Sequence, residues 1–279
     1  MSEAKRVTVG DLEMNYFEAG SGDRAFVLVH GFTGSSDDFS DVLPHLAEHG
    51  RTLTLDNRGH GGTTNAGRGY DLDTMAGDLG GFLDAVGVDR CDLLGHSLGG
   101  MISLRFVLAH PDRVASLILM DTAPRALDLL PIQIFEAGAK IGREQGMAAV
   151  YERMGAGGLS SNVEPGSPRA LSAERMGQGR YHARIERKIL AMDPEAFEGC
   201  ARSLGEQIPV DDRLHKIACP TTVVVGDQDE PFLQPSRDLA AGIPKAVLEI
   251  VPDAMHSPQL ENETAWLAAI GGHLARARG

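Results

Sequence analysis

Asp92-Leu93-Leu94-Gly95-His96-Ser97-Leu98-Gly99-Gly100 is the stretch whose reading decides the fold. Residues 92–94 form a short apolar run of the kind that makes a deeply buried strand. From 98 to 110 the pattern changes: Met101, Leu104, Arg105 and Leu108 recur at helical intervals, and Pro111 stands just past the end. Between the two lies Gly95-His96-Ser97-Leu98-Gly99, a G-x-S-x-G match whose glycines relieve crowding where a strand turns sharply into a helix and thrusts the serine outward. With 34 glycines in 279 residues the bare pattern could arise by chance. Its setting, strand then turn then helix, gives it weight.

Working outward, short apolar runs alternate with amphipathic segments, the signature of strands connected by helices into a mostly parallel sheet. Strands are predicted at 6–9 and 12–18, joined by the turn Gly10-Asp11, and then at 25–29, 52–55, 114–120, 221–225 and 246–251. Helices are predicted at 74–86, near 235–241 and at about 262–276. Roughly a hundred residues separate two of these strands, so the chain must leave the sheet there and return. Met147, Val150, Tyr151 and Met154 share a helical face, as do Phe197, Cys200, Ala201 and Leu204. Asp193-Pro194 reads as an N-cap followed by proline in the first turn. Residues 155–168, rich in Gly, Ser and Pro, read as a loop and a candidate lid. The expected organisation is a core of residues 1–122 and 216–279 carrying a helical cap at 123–215.

A serine hydroxyl is a weak nucleophile at neutral pH and needs a base within hydrogen-bond reach, itself oriented by a carboxylate. For a serine at such a turn these partners are expected downstream, acid before histidine, each in a loop after a strand. Gly226-Asp227-Gln228-Asp229 and Pro252-Asp253-Ala254-Met255-His256 occupy those places. His256 is therefore the expected base, whereas His45, His49, His110, His182, His215 and His273 fall in helical or cap segments. Asp229 is the favoured acid. Asp227, directly after a glycine, suits a turn-shaping role, and Asp121, ending the strand at 114–120, is a third candidate. The oxyanion of a tetrahedral intermediate needs two backbone donors. Leu98 N–H follows the nucleophile, and His30-Gly31-Phe32 offers the amide of Phe32. His96 and Arg125 are candidates for substrate binding, the arginine through a bidentate grip on a carboxylate. Asp56, Arg58 and His60 read as a structural polar cluster.

Composition narrows the classes. Hydrophobic content of 42% and charged content of 23% fit a soluble protein, and the sequence has no stretch of about 18 uninterrupted apolar residues that could cross a bilayer. The polar N-terminus lacks a signal-peptide core, which points to the cytoplasm. A net charge of −13 disfavours nucleic acid, whose phosphates need a basic face. Cys91, Cys200 and Cys219 have no C-x-x-C spacing and read as buried hydrophobes. No histidine pair sits at metal-ligand spacing, so a zinc hydrolase is disfavoured.

Taken together, His30-Gly31-Phe32, Asp56-Asn57-Arg58-Gly59-His60-Gly61, Gly95-His96-Ser97-Leu98-Gly99-Gly100, Gly226 to Asp229 and His256 resemble the ordered signature blocks of the α/β-hydrolase superfamily. The resemblance implies an eight-stranded, mostly parallel sheet flanked by helices, with no cofactor and no metal. Serine at 97 departs from epoxide hydrolases and haloalkane dehalogenases, which resemble this chain but place aspartate there. His96 departs from the asparagine typical of carbon–carbon bond hydrolases. The opening His30-Gly31-Phe32-Thr33-Gly34-Ser35 is similar to that of the menaquinone-pathway synthase, whose usual arginine after the glycines is here Met101. What remains resembles carboxylesterases, lactonases and cofactor-free perhydrolases. The resemblance therefore implies hydrolysis of a small-molecule acyl substrate through an acyl-enzyme. A carbon–carbon hydrolase, a synthase or lyase, and a non-catalytic ligand receptor on the same scaffold stay open. No nucleic-acid or membrane partner is expected; a homodimer is compatible with the sequence, which leaves the oligomeric state open.

Overall fold

In the computed structural model, which describes residues 3–127, 131–154 and 164–279, all five residues of Ala25-Phe26-Val27-Leu28-Val29 are buried. Side chains alternate across a strand, and here Val27 and Val29 join one apolar core while Phe26 and Leu28 join another. A strand covered on both faces reads as a continuous hydrophobic run, which is why this one carries no polar alternation. Leu93 and Leu94 divide in the same way, as do Leu119 and Ile118.

In chain order the first half comprises β1 (Lys5–Val9), β2 (Leu12–Ala19), β3 (Ala25–Val29), α1 (Leu43–Ala47), β4 (Thr52–Leu55), α2 (Leu72–Ala85), β5 (Cys91–His96), α3 (Leu98–Ala109) and β6 (Val114–Met120). Next come α4 (Ile132–Gln145), α5 (Met147–Met154), α6 (Pro168–Met176), α7 (Gln178–Leu190) and α8 (Pro194–Glu206). The chain closes with β7 (Thr221–Gly226), α9 (Glu230–Gly242), β8 (Val247–Val251), α10 (Pro258–Glu261) and α11 (Glu263–Arg278). The eight strands form one sheet in the order β1-β2-β4-β3-β5-β6-β7-β8. Only β2 runs against its neighbours, so the sheet is mixed but mostly parallel. One face is covered by α2, α3 and α9, whose buried residues Leu79, Leu104 and Leu239 belong to the larger core. The other is covered by α11, where Trp266 is fully buried and donates its Nε1–H to Met120 Sδ at 2.9 Å. No helix among the described residues is long and apolar enough to cross a membrane.

Five helices lie between β6 and β7 among the described residues, where the sequence demanded an excursion. Helix α7 sets Tyr181, Ile185 and Ile189 at helical spacing, and Ile185 and Ile189 join the larger core. The buried residues of α7 are Arg184 and Ile189, so a charged side chain shares its inner face with the apolar ones. Helix α9 begins at Glu230, five residues before the predicted start at Pro235. Pro231 occupies its first turn, and Pro235 lies inside the helix, at the cost of one i to i−4 hydrogen bond. Of the loop predicted at 155–168, residues 155–163 lie outside the described residues, and Pro168 already opens α6.

Candidate active site

Ser97 sits where β5 breaks into α3, with φ 53° and ψ −117°. A positive φ is costly for a residue with a Cβ and persists only where the surroundings over-determine it. Here they do. The Ser97 N–H donates to Met120 O at 2.9 Å, and Thr122 Oγ1 donates to Ser97 O at 2.7 Å, tying the turn to the end of β6. A Cβ at Gly95 would collide with Gly99 O and Ser103 Oγ, and one at Gly99 would collide with Val29 O. Both glycines are therefore demanded by close approach. Serine at the N-cap of a helix ordinarily bonds the first-turn amides, but Ser97 makes no such bond, which leaves its hydroxyl uncommitted to the helix.

The loop after β3 is fixed from its histidine. His30 Nδ1–H donates to Gly31 O at 2.8 Å, while His30 Nε2 accepts the Asn57 N–H at 3.0 Å, so the ring is neutral with its proton on Nδ1. Burial pushes its pKa down, consistent with that state. Asn57 Nδ2 returns a bond to His30 O at 3.1 Å, clamping the loop after β3 to the loop after β4. A Cβ on Gly31 would stand 3.0 Å from Ser97 Cβ, which places this loop against the serine. The Phe32 ring packs on Phe135 of α4 and Phe197 of α8, with centroids 5.6 and 5.8 Å away. Neither the Phe32 nor the Leu98 amide donates to the backbone of a described residue, so both remain available as donors.

His256 follows β8 and Asp229 caps the start of α9; His256 Nδ1 meets Asp229 Oδ2 at 2.8 Å. Burial pushes the Asp229 carboxyl up, but the adjacent His256 and the neighbouring Asp121 outweigh it and hold the pKa below the usual carboxylate value. Phe232 lies on the His256 ring at 4.5 Å between centroids. Two further side chains fix this loop. His96 Nε2 donates to His256 O at 2.7 Å, and Glu261 Oε2 accepts the N–H groups of Met255 and Ser257, the residues on either side of His256, at 2.7 and 3.2 Å. Burial pushes the His96 pKa down to about 3, so its ring is a neutral donor. Nothing in the sequence set Glu261 apart from any other acid in a short helical turn.

The remaining predicted residues fall into place as follows. Asp227 shapes the turn: its Oδ1 accepts Ala254 N–H at 3.1 Å. Asp56 accepts from Ser36 N, Asn15 Nδ2 and Gly62 N, and Arg58 grips Asp78 with two nitrogens, so this cluster braces loops. Arg125 bonds Asp211 and Asp238, the latter at 2.9 Å. With its fork committed to two aspartates, the expected hold on a substrate carboxylate has no support in its placement. His96 likewise spends its Nε2–H on the main-chain carbonyl of His256. Cys91 and Cys200 are buried thiols, and Cys219 is half-buried. One ligand atom each from Asp121, Asp229 and His256 lie within 4.8 Å of one another, close enough to hold a cation. Two of the three are already joined by the 2.8 Å bond between Asp229 and His256.

Charge also ties the inserted helices to the core. Helix α7 sets Arg180, Arg184, Arg187 and Lys188 on Asp41, Asp37 and Asp38 of the segment just after Phe32. Burial raises the Asp38 carboxyl, but Lys188 beside it more than compensates and holds it below its ordinary value.

Comparison with known proteins agrees with this architecture. Residues 24–153 match the family described as the alpha/beta hydrolase fold. A non-heme chloroperoxidase of Kitasatospora aureofaciens is 30% identical over 88% of this chain and 89% of its own length. A protein of Bacillus subtilis, provisionally named a 2-succinyl-6-hydroxy-2,4-cyclohexadiene-1-carboxylate synthase, is 28% identical over 94% of this chain and 92% of its own. Among solved structures, a thermophilic esterase from Thermogutta terrifontis superposes with a TM-score of 0.83 at 26% identity, covering 100% of both chains. The parallel sheet, the serine turn after β5, the loops after β7 and β8 and these relatives lead to one conclusion: the chain belongs to the α/β-hydrolase superfamily.

Proposed function

We propose that this enzyme cleaves a small carboxylic ester or lactone through an acyl-enzyme formed on Ser97. The observation that carries the reading is the 2.8 Å bond between His256 Nδ1 and Asp229 Oδ2, in a loop tied to the residue before Ser97. With the Nδ1 proton held by Asp229, the opposite nitrogen of His256 is left as the base. Ser97 Oγ attacks the acyl carbon as His256 Nε2 takes its proton. The oxyanion is held by the Phe32 and Leu98 amides, the second at the positive end of α3. The same imidazole then protonates the leaving oxygen, and water repeats the sequence to release the acid. Helices α4 and α8, which bear Phe135 and Phe197, would bound the acyl group.

A fluorophosphonate probe tests the nucleophile, and a panel of p-nitrophenyl esters and lactones tests the bond. Stoichiometric labelling lost in Ser97→Ala, with turnover of at least one substrate class, is the expected result. An unlabelled wild type would favour a non-catalytic receptor.

Likeness to the Bacillus subtilis protein favours a second reading, a synthase or lyase on the same scaffold. Against it, the position after the glycines is Met101, which is buried and takes Gln207 Nε2 at 2.9 Å on its sulfur. Incorporation of oxygen from labelled water into product separates the two.

A further inference from the structure

We infer that Asp121 is a positioning residue that holds a proton on Oδ2 and donates it to Asp229, so the acid serving His256 is a carboxylic acid–carboxylate pair sharing one proton. The inference deepens the proposed function and rests on it for its catalytic meaning.

Three geometric facts carry it. Asp121 is wholly buried just past the end of β6, with a left-handed φ of 44°. Its N–H continues the sheet to Val224 O at 2.9 Å, and Oδ1 accepts the N–H of Gly226, the last residue of β7 and three before Asp229, at 3.0 Å. Oδ2 is buried with no donor among the described residues. An ionised oxygen in that place would be unpaired and desolvated, which is among the costliest arrangements in a protein interior. A protonated one is a donor, and the cluster brings one carboxylate oxygen of Asp121, one of Asp229 and a ring nitrogen of His256 within 4.8 Å of one another.

Electrostatics run the same way. Two buried carboxyls this close cannot both ionise. Burial first, and the negative charge of Asp229 second, push Asp121 well above the usual carboxylate range, whereas Asp229 is held below it. The titratable groups facing the pair are His256, His96 and Glu261. During turnover the Asp121 proton stays in place. Its bond to Asp229 spreads the negative charge that His256 feels as the imidazole becomes imidazolium, and so tempers the basicity of the imidazole.

Infrared difference spectra, wild type minus Asp121→Asn at neutral pH, should show the carbonyl stretch of a protonated carboxylic acid. Absence of that band overturns the inference. Asparagine keeps a neutral donor, so Asp121→Asn should retain at least about a third of kcat with the acidic limb of kcat/KM in place. Asp121→Leu lacks the donor and should move that limb up by about half a pH unit. If Asp121 were instead ionised, its replacement by asparagine would remove a charge and shift the limb down. Should the leucine variant fail to fold, the asparagine variant and the infrared band decide alone. A wild type that shows the band but resists the fluorophosphonate defeats the proposed reaction without touching the shared proton.

Discussion

His96 Nε2 donates to the main-chain carbonyl of His256 at 2.7 Å, and the two rings lie 5.0 Å apart. The residue before Ser97 therefore holds the loop that carries His256, across 160 positions of sequence. Replacing His96 with phenylalanine keeps a ring but leaves the half-buried carbonyl unpaired. Stability should fall by about 1–3 kcal/mol, and kcat/KM by roughly ten- to a hundredfold through misplacement of His256. Chemical denaturation and ester kinetics on the same preparation check it; kinetics within threefold of wild type would show that the bond does not position the base.

The turn at Ser97 stores strain. Glycine tolerates φ 53° without a Cβ penalty, so Ser97→Gly should raise the unfolding free energy by about 1 kcal/mol while lowering kcat on the order of 10⁴-fold or more. Urea melts set beside kinetics test both halves. A variant less stable than wild type would mean that the turn is unstrained.

Lys188 and Asp38 join α7 to the segment after Phe32. Asp38 has a folded pKa below its unfolded one. Its contribution is thus complete above the unfolded value of about 3.9 and disappears as pH falls through the depressed folded value. Lys188→Met strands a buried carboxylate and should cost on the order of 3 kcal/mol at pH 7. The gap to wild type should narrow in acid, as Asp38 takes up a proton in both proteins. Unfolding free energies measured down a pH series test the sign; a constant gap would refute the pairing.

Arg125 is engaged by Asp211 and Asp238 in a half-exposed cluster. Arg125→Ala should therefore leave KM within about twofold for substrates with or without a carboxylate tail, and should cost less than about 1 kcal/mol of stability. A tenfold rise in KM confined to the carboxylate-bearing substrates would restore a substrate role to this arginine.

Local sequence carried far in the core. The apolar run at 25–29 had to be covered on both faces, and the G-x-S-x-G between a strand and a helix left little choice of backbone, because Gly95 and Gly99 are the residues whose added Cβ would strike neighbouring backbone. Order along the chain placed Asp229 and His256 in the loops where the structure joins them at 2.8 Å. The inserted helices were less legible. Beside its core-packed Ile185 and Ile189, α7 is held by ion pairs to residues about 140 positions earlier, and hydrophobic periodicity is blind to those contacts.

By itself, then, the sequence determined the layer order, the serine turn and the strand ends at which the acid and the imidazole stand, since periodicity and steric demands act over a few neighbouring residues. Only the tertiary structure decided that Arg125 turns to Asp211 and Asp238, that His96 and Glu261 hold the His256 loop, and that Asp121 lies beside Asp229. Those outcomes depend on which polar group lies nearest when distant loops pack, and on the cost of leaving a buried one unpaired.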